Sequence, residues 1–480
     1  MYDVCVIGAG VVGLNIAREL AKYKLKLCVL EKEDDVSCGC SKANSGIVHG
    51  GYSDEPGILK AKLCIRGNRM YEKLNKELHF GYRRTGSLVL AFENEEISKL
   101  QQLYDRGIAN GVEGLEILSS EEVLQKEPYV SKNIKAALYC ENAGVTSPYE
   151  FAIALAENAI NNGVDIKLQS EVVGINNANS YFEISLSNGK IITARYVVNA
   201  AGIYSDKIAN MLEITEYTIM PRRGQYLLLD KEENYLTQSV IFQVPTPLGK
   251  GILVTTTYHG NLMIGPNAEE IEDKEDIGTD EKTLKYIVET ARKSVPDFNI
   301  KKVLKSFAGN RPVANVTDWV IGESSVKRFI NLIGIDSPGL TASPAIALEV
   351  KEVLQQAGLI LEHNSQFISE RKPIIKPKID PFQGSIESTN PEKHIICRCE
   401  QVTEAEIVDC LQRGIPIRSL DAVSRRTRAG HGKCQGVFCG PRVKKLMAEQ
   451  LHISIEDIKS KSNDSSLLAQ RVKRIDLRNL

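Results

Sequence analysis

Four cysteines near one end of the chain, Cys397-Arg-Cys399 and Cys434-Gln-Gly-Val-Phe-Cys439, form two close pairs with 34 residues between them. Thiolates grouped this way suit an iron–sulfur cluster or a structural zinc ion. At the other end, Gly8-Ala-Gly10-Val-Val-Gly13 follows a run of β-branched residues, and Glu31 comes later. The first glycine permits a tight turn, the second lets a pyrophosphate approach the backbone, and the third lets a helix pack on a strand. A helix start there offers free N–H groups and partial positive charge to phosphates, and an acid at the distance of Glu31 can accept the ribose hydroxyls. This end of the chain predicts a dinucleotide site.

Those residues need a scaffold. Tyr2 to Ile7 predicts a buried strand, Leu14 to Lys22 a helix and Leu25 to Leu30 a second strand. The small-residue loop Ser37 to Gly46 then carries Lys42, Ala43, Asn44 and Ser45, a second segment able to hug a phosphate, and leads to His49. Cys38 and Cys40 alone do not complete a metal site and are expected to be structural. Residues 57 to 79 have helical periodicity, and Ser147 to Glu150 starts a helix that runs to Asn161. Strands at Val164–Leu168 and Glu171–Ile175 can bring the backbone of Val172 and Val173 to an adenine. Lys190 to Asn199 is expected to end at an Ala201-Gly202 turn. Near residue 340, Ser343 is expected to cap a helix with Pro344 in its first position. The loop before it, with Gly339, Leu340 and Thr341, would face the cofactor and stabilise negative charge there.

The fold class expected is α/β with an α+β part. A discontinuous Rossmann-like nucleotide domain (1–80, 145–215 and 305–365) adjoins an antiparallel-sheet substrate domain (81–144 and 216–304), whose acidic run Glu269 to Asp276 reads as an exposed loop. A linker (366–394), a small helical domain (395–451) and a tail (452–480) follow. In the helical domain, Thr403 and Glu406 form a capping box and Cys410 lies on an apolar helix face. Arg425, Arg426, Arg428 and Lys433 either favour reduction of an anionic cluster or form a basic helix surface.

Composition narrows the function. With 480 residues the chain needs more than one core, and with 60 basic against 61 acidic residues no global field draws it to nucleic acid. No apolar run reaches the length of a membrane span and no basic leader precedes the first strand, so a soluble, cytoplasmic protein is expected. Eleven cysteines, five of them beyond residue 396, fit thiols and a metal site better than a disulfide framework.

Gly8 to Gly13, Lys42-Ala-Asn-Ser-Gly-Ile-Val-His49, Pro221-Arg-Arg-Gly-Gln-Tyr226, Ser306-Phe-Ala-Gly-Asn-Arg-Pro312 and Ser337-Pro-Gly-Leu-Thr-Ala-Ser-Pro-Ala345 resemble motifs of the D-amino-acid-oxidase-like FAD oxidoreductases. Over residues 1 to about 360 the chain looks most like the mycoplasma-type glycerol-3-phosphate oxidases. The cysteine region resembles a bacterioferritin-associated-ferredoxin-like [2Fe-2S] domain, as in the large subunit of anaerobic glycerol-3-phosphate dehydrogenases. The resemblance implies a flavoprotein of glycerol metabolism with FAD and a [2Fe-2S] cluster as cofactors. It further implies hydride transfer from C2 of sn-glycerol 3-phosphate to flavin N5, giving dihydroxyacetone phosphate. Electrons would leave through the cluster to a protein subunit, which could also bring the chain to a membrane. On it, His49 is the candidate base, Arg311 the anion clamp and Lys250 a second cation, while Ser45 and Ser337 contact substrate or flavin. One arginine does not separate phosphate from carboxylate. The alternatives are a 2-hydroxy-acid dehydrogenase of the L-2-hydroxyglutarate kind, an amino-acid dehydrogenase, or an electron-transfer scaffold subunit.

Overall fold

The computed structural model describes residues 1–245, 251–376, 378 and 384–461. Strand Tyr2–Ile7 lies between two parallel partners, Leu27–Leu30 and Ile191–Asn199. Its alternation serves two cores: Val4 and Val6 face one, Cys5 and Ile7 the other. Where the strand is covered on both faces, from Val4 to Ile7, it is apolar throughout, as that burial requires. Asp165–Lys167 extends the sheet beyond Leu27–Leu30, and Phe329–Ile333 runs parallel to the end of Ile191–Asn199. Three helices, Val11–Leu20, Pro148–Asn161 and Gly339–Gln356, contribute to the first of these cores.

A second sheet of nine strands is built round Ile219–Leu229 and Val303–Ala314, antiparallel partners that set Arg222 against Arg311 and Tyr226 against Phe307. It is antiparallel except where Val240–Gln243 runs parallel to Ser87–Ala91. Helix Glu281–Ser294 packs on it through Leu284, Ile287, Val288 and Ala291. The third unit pairs Ile395–Cys397 with Val402–Thr403 and adds helices Glu404–Leu411, Leu420–Thr427 and Gly440–Leu451. The Thr403–Glu406 capping box forms, and Cys410 is buried in the apolar core of this unit. No helix among the described residues is long and apolar enough to cross a membrane.

Four local readings gain detail, and the expected cap at Ser343 is corrected. The periodic stretch 57–79 is two helices, Leu59–Asn68 and Tyr71–Leu78. At Gly67 a Cβ would stand 2.2 Å from the carbonyl oxygen of Thr341, so the glycine lets this helix touch Gly339–Gln356. The helix near residue 340 starts at Gly339 with Pro338 as its N-cap, which leaves both Ser343 and Pro344 inside it. Proline cannot donate to the carbonyl four residues back. That carbonyl, of Leu340, instead accepts from Ser343 Oγ at 2.8 Å and Tyr71 OH at 2.6 Å. The acidic run is not simply an exposed loop: Glu269–Glu270 pairs with Arg222 and Arg223, and Lys274 bonds buried Asp206 at 2.7 Å. Finally, Arg371 in the linker stretch is buried and held by Glu157 at 2.6 Å.

Candidate active site

The glycine turn is specified by its crowding. Gly8 has φ +106°, and a Cβ there would lie 2.5 Å from the carbonyl oxygen of Ala200; at Gly13 a Cβ would lie 2.0 Å from the oxygen of Gly8. Glu31 sits behind the turn, its Oε2 accepting from the Ala9 N–H at 2.8 Å and its Oε1 from the Glu33 N–H at 3.0 Å. Burial raises the pKa of the Glu31 carboxyl, and these two donors oppose the rise. Ser41 Oγ accepts from the Val11 N–H at 2.9 Å, so the loop after Glu31 folds back onto the helix start.

A cavity of about 2500 Å³ opens from Gly8, Gly10 and Glu31 and runs beneath the second sheet. Small-ligand pockets need only about 300–1,000 Å³, so an extended dinucleotide and a substrate fit together. Lys42, Ala43, Asn44 and Ser45 form one wall, and Val172, Ala201 and Gly202 line the end near Glu31. His49, Arg311, Ser337, Gly339 and Leu340 line the same cavity. Strand and loop meet closely here: at Gly309 a Cβ would stand 1.9 Å from the carbonyl oxygen of Ala43.

Not every candidate faces this space. Val173 is 53% exposed, because strand neighbours point to opposite faces and Val172 takes the inner one. Gly13 and Thr341 are outside the lining as well, for packing reasons. Gly13 seats the helix on the turn, and Thr341 Oγ1 is fully buried, accepting from the His49 N–H at 2.9 Å and donating to the Ile47 carbonyl. Lys250 lies outside the described residues.

His49 Nε2 is 3.5 Å from Ser337 Oγ, and its ring stacks on Phe242 at a centroid distance of 6.1 Å. Its carbonyl accepts from Asn68 Nδ2 at 2.9 Å, so the backbone is held on both sides. Arg311 is fixed by carbonyls: Nη2 donates to Asn267 at 2.8 Å and Nε to Arg222 at 3.3 Å. Among the described residues it forms no ion pair, so its charge is left for a ligand. Sequence reasoning missed Asp336, which accepts from Lys60 Nζ at 2.7 Å and Trp319 Nε1 at 3.0 Å and anchors the loop carrying Ser337. Its sequence position beside Ser337 was the available signal; Lys60, 276 residues earlier, gave none.

The terminal cysteines have a different environment from the rest. Burial pushes the thiol of Cys38 up to about 12, Cys40 to about 11 and Cys410 to about 12. The Cys397 thiol is instead held down at about 6, first by its hydrogen bond with Cys439 and also by the N–H groups of Gly430 and Glu400. Burial opposes a fall at Cys434, yet the N–H groups of Phe438 and Gly436 lower that thiol too. Their partners move the other way, the Cys399 thiol raised first by burial and the Cys439 thiol by its hydrogen bond with Cys397, so the four stand as two pairs, Cys399 with Cys434 and Cys397 with Cys439. Among the described residues no three such ligands converge on one ion. Two thiol pairs with N–H donors suit a two-iron cluster, which takes two thiolates per iron, better than one zinc ion. The arginines nearby do not form a basic surface. Arg425 and Arg426 are buried on Asp35, and Arg428 pairs with Glu400 at 2.7 Å.

The family profile described as FAD dependent oxidoreductase matches residues 3–353. This chain belongs to that family. The profile of the BFD-like [2Fe-2S] binding domain matches residues 395–449, so the family core carries an iron–sulfur extension. Over 472 residues the chain is 46% identical to the glycerol 3-phosphate dehydrogenase of Caloramator mitchellensis, covering 98% of each protein. It is 36% identical over 361 residues to the glycerol 3-phosphate oxidase of Mycoplasma genitalium, covering 73% of this chain and 94% of that one. The dithionite-reduced L-α-glycerophosphate oxidase of Mycoplasma pneumoniae, solved with FAD bound, superposes with a TM-score of 0.74 at 33% identity. It covers 77% of this chain and 98% of its own. This FAD oxidoreductase is thus an enzyme of the glycerol-3-phosphate dehydrogenase and oxidase type, with FAD and [2Fe-2S] as its cofactors.

Proposed function

We propose that the enzyme oxidises sn-glycerol 3-phosphate to dihydroxyacetone phosphate and sends the electrons through its [2Fe-2S] domain to a protein acceptor. The observation that carries the substrate is Arg311, a cation on the cavity wall with no ion pair among the described residues. Its guanidinium can grip a phosphate at two points. The overall similarity to a glycerol 3-phosphate dehydrogenase supports the same reading.

FAD, when bound, supplies the hydride acceptor. The chain's own residues do the rest. Gly8, Gly10 and the helix start at Val11 would receive the pyrophosphate, with Glu31 at the ribose, Val172, Ala201 and Gly202 near the adenosine end, and Lys42 to Ser45 along the side. Arg311 binds and orients the substrate phosphate. His49 Nε2 takes the proton of the substrate hydroxyl, and Ser337 Oγ, 3.5 Å away, assists its placement. Gly339 and Leu340 at a helix start turn partial positive charge toward the site of reduction. Cys397, Cys399, Cys434 and Cys439 would hold the cluster. On this reading the nucleotide domain comprises 1–80, 145–215 and 305–365, the substrate domain 81–144 and 216–304, and the cluster domain 395–451. The enzyme works in the cytoplasm and meets a membrane only through its partner.

Anaerobic titration with glycerol 3-phosphate, L-2-hydroxyglutarate and D-amino acids tests the substrate. Reduction by glycerol 3-phosphate alone is expected. Reduction by L-2-hydroxyglutarate instead would reassign Arg311 to a carboxylate, and no reduction by any of them would point to a scaffold subunit.

A further inference from the structure

We infer that the buried group of Asp35, Arg425 and Arg426 couples the cysteine loops of the [2Fe-2S] domain to FAD binding at the glycine turn. The inference rests on the two cofactors and not on the identity of the substrate. Asp35 follows the ribose acid by four residues and is 1% exposed. Its Oδ2 accepts from Arg425 at 2.5 Å and Arg426 at 2.7 Å, and its Oδ1 from Arg426 at 2.7 Å and the Val36 N–H at 2.8 Å. Arg425 also donates to the Val36 carbonyl at 2.8 Å.

From this point contact runs directly to the FAD site. The next residue, Ser37, donates its N–H to the carbonyl of Ala9, between Gly8 and Gly10, at 3.0 Å. The loop continues through Ser41, which holds the Val11 N–H, to Lys42, whose Nζ is 3.9 Å from Asp421. Asp421 in turn pairs with Arg425 at 3.0 Å. So helix Leu420–Thr427 holds the FAD loop at Asp35, Val36 and Lys42.

The same helix is tied to both cysteine loops. Arg428, just past its end, pairs with Glu400, which adjoins Cys399. The segment after Arg428 reaches Cys434, and Gly430 donates its N–H to Cys397. At Gly432 a Cβ would stand 2.3 Å from Cys399 Cβ, so the two loops close on each other only with glycine there. Ordering the four thiolates around a cluster therefore orders the helix that presents Arg425 and Arg426. Without the cluster those arginines are less well placed, and the FAD loop loses its support. Two sites coupled through one element shift each other's affinity, typically by about 5- to 150-fold.

The test is FAD affinity of the full-length protein, read by quenching of flavin fluorescence, with the cluster loaded and after its removal by an iron chelator under oxidation. Wild type is expected to bind FAD about ten-fold more weakly without its cluster. In Asp35→Asn, FAD affinity is already weak with the cluster present, and the ratio between the two states falls to near one. Arg425→Gln, which leaves the Asp35–Arg426 pair intact, gives an intermediate ratio and serves should Asp35→Asn fail to fold. In wild type, bound FAD also slows loss of the cluster to the chelator. Equal FAD affinity of cluster-loaded and cluster-free wild type would overturn the inference, as would an Asp35→Asn protein that keeps the full ratio. Neither result depends on turnover, so the proposed substrate stands or falls separately.

Discussion

Gly309→Ala places one methyl group where the second sheet meets the FAD loop. The residue lies in an extended strand with an ordinary φ, so alanine costs nothing in backbone conformation, and the effect is steric. The new Cβ would sit 1.9 Å from the Ala43 carbonyl oxygen and 2.9 Å from Ala43 Cβ. Heavy atoms at rest stand about 3.5 Å apart, so strand or loop must retreat by more than about 1 Å. Overpacking of this kind costs about 1–3 kcal/mol of stability. The displaced loop carries Ala43, Asn44 and Ser45 and leads to His49, and a misplacement of about 1 Å can cost about 100-fold in rate. Single-turnover reduction of FAD by glycerol 3-phosphate should slow by that order, with weaker FAD retention on dialysis. Gly322→Ala, which meets no heavy atom within 4 Å, is the control and should behave as wild type. A Gly309→Ala enzyme with unchanged FAD affinity and reduction rate would refute the close approach of strand and loop.

Arg311→Lys keeps the charge but loses the planar two-point grip, and KM for glycerol 3-phosphate is expected to rise on the order of 10- to 100-fold with a smaller change in kcat; an unchanged KM would remove Arg311 from the phosphate. With FAD at saturation, Cys434→Ala should leave FAD reduction by substrate intact while iron and sulfide content falls and transfer to a one-electron acceptor is lost; a fully loaded cluster in this variant would exclude Cys434 as a ligand. Burial lowers the pKa of His259 despite the opposing charge of Glu150, 2.5 Å away. Below an unfolded value of about 6.5 the unfolded chain binds a proton that the folded chain refuses, so stability falls on acidification until the folded group titrates as well. Melting temperatures from about pH 7 to about pH 5 should drop, and less steeply in His259→Asn; equal slopes would contradict the assignment.

Local signals made much of the molecule legible. The glycine turn was legible because strand, glycines, helix and acid follow one another between Met1 and Glu31, although the carbonyl that crowds Gly8 belongs to Ala200. The Thr403–Glu406 box and the Cys397 and Cys434 pairs were equally short-range. What stayed hidden depends on distant partners. Pro344 reads as a helix start until Tyr71 and Ser343 are seen satisfying the Leu340 carbonyl. Arg425 and Arg426 read as surface or cluster cations, since nothing near them names Asp35, almost four hundred residues earlier. The run Glu269 to Asp276 reads as solvated until Arg223 and Asp206 are brought beside it. Charge runs are ambiguous for that reason: their meaning is set by the counter-charge, which tertiary contact supplies.

On the proposed function, glycerol 3-phosphate reduces FAD in this protein and the electrons continue into its own [2Fe-2S] domain. Anaerobic rapid mixing with glycerol 3-phosphate, followed at the flavin and cluster absorption bands and by electron paramagnetic resonance of frozen samples, tests both parts together. Loss of the oxidised flavin band is expected first and a reduced-cluster signal next, at a rate independent of protein concentration. A flavin left oxidised by glycerol 3-phosphate, or a reduced flavin beside a cluster that stays oxidised until a second protein is added, would contradict it.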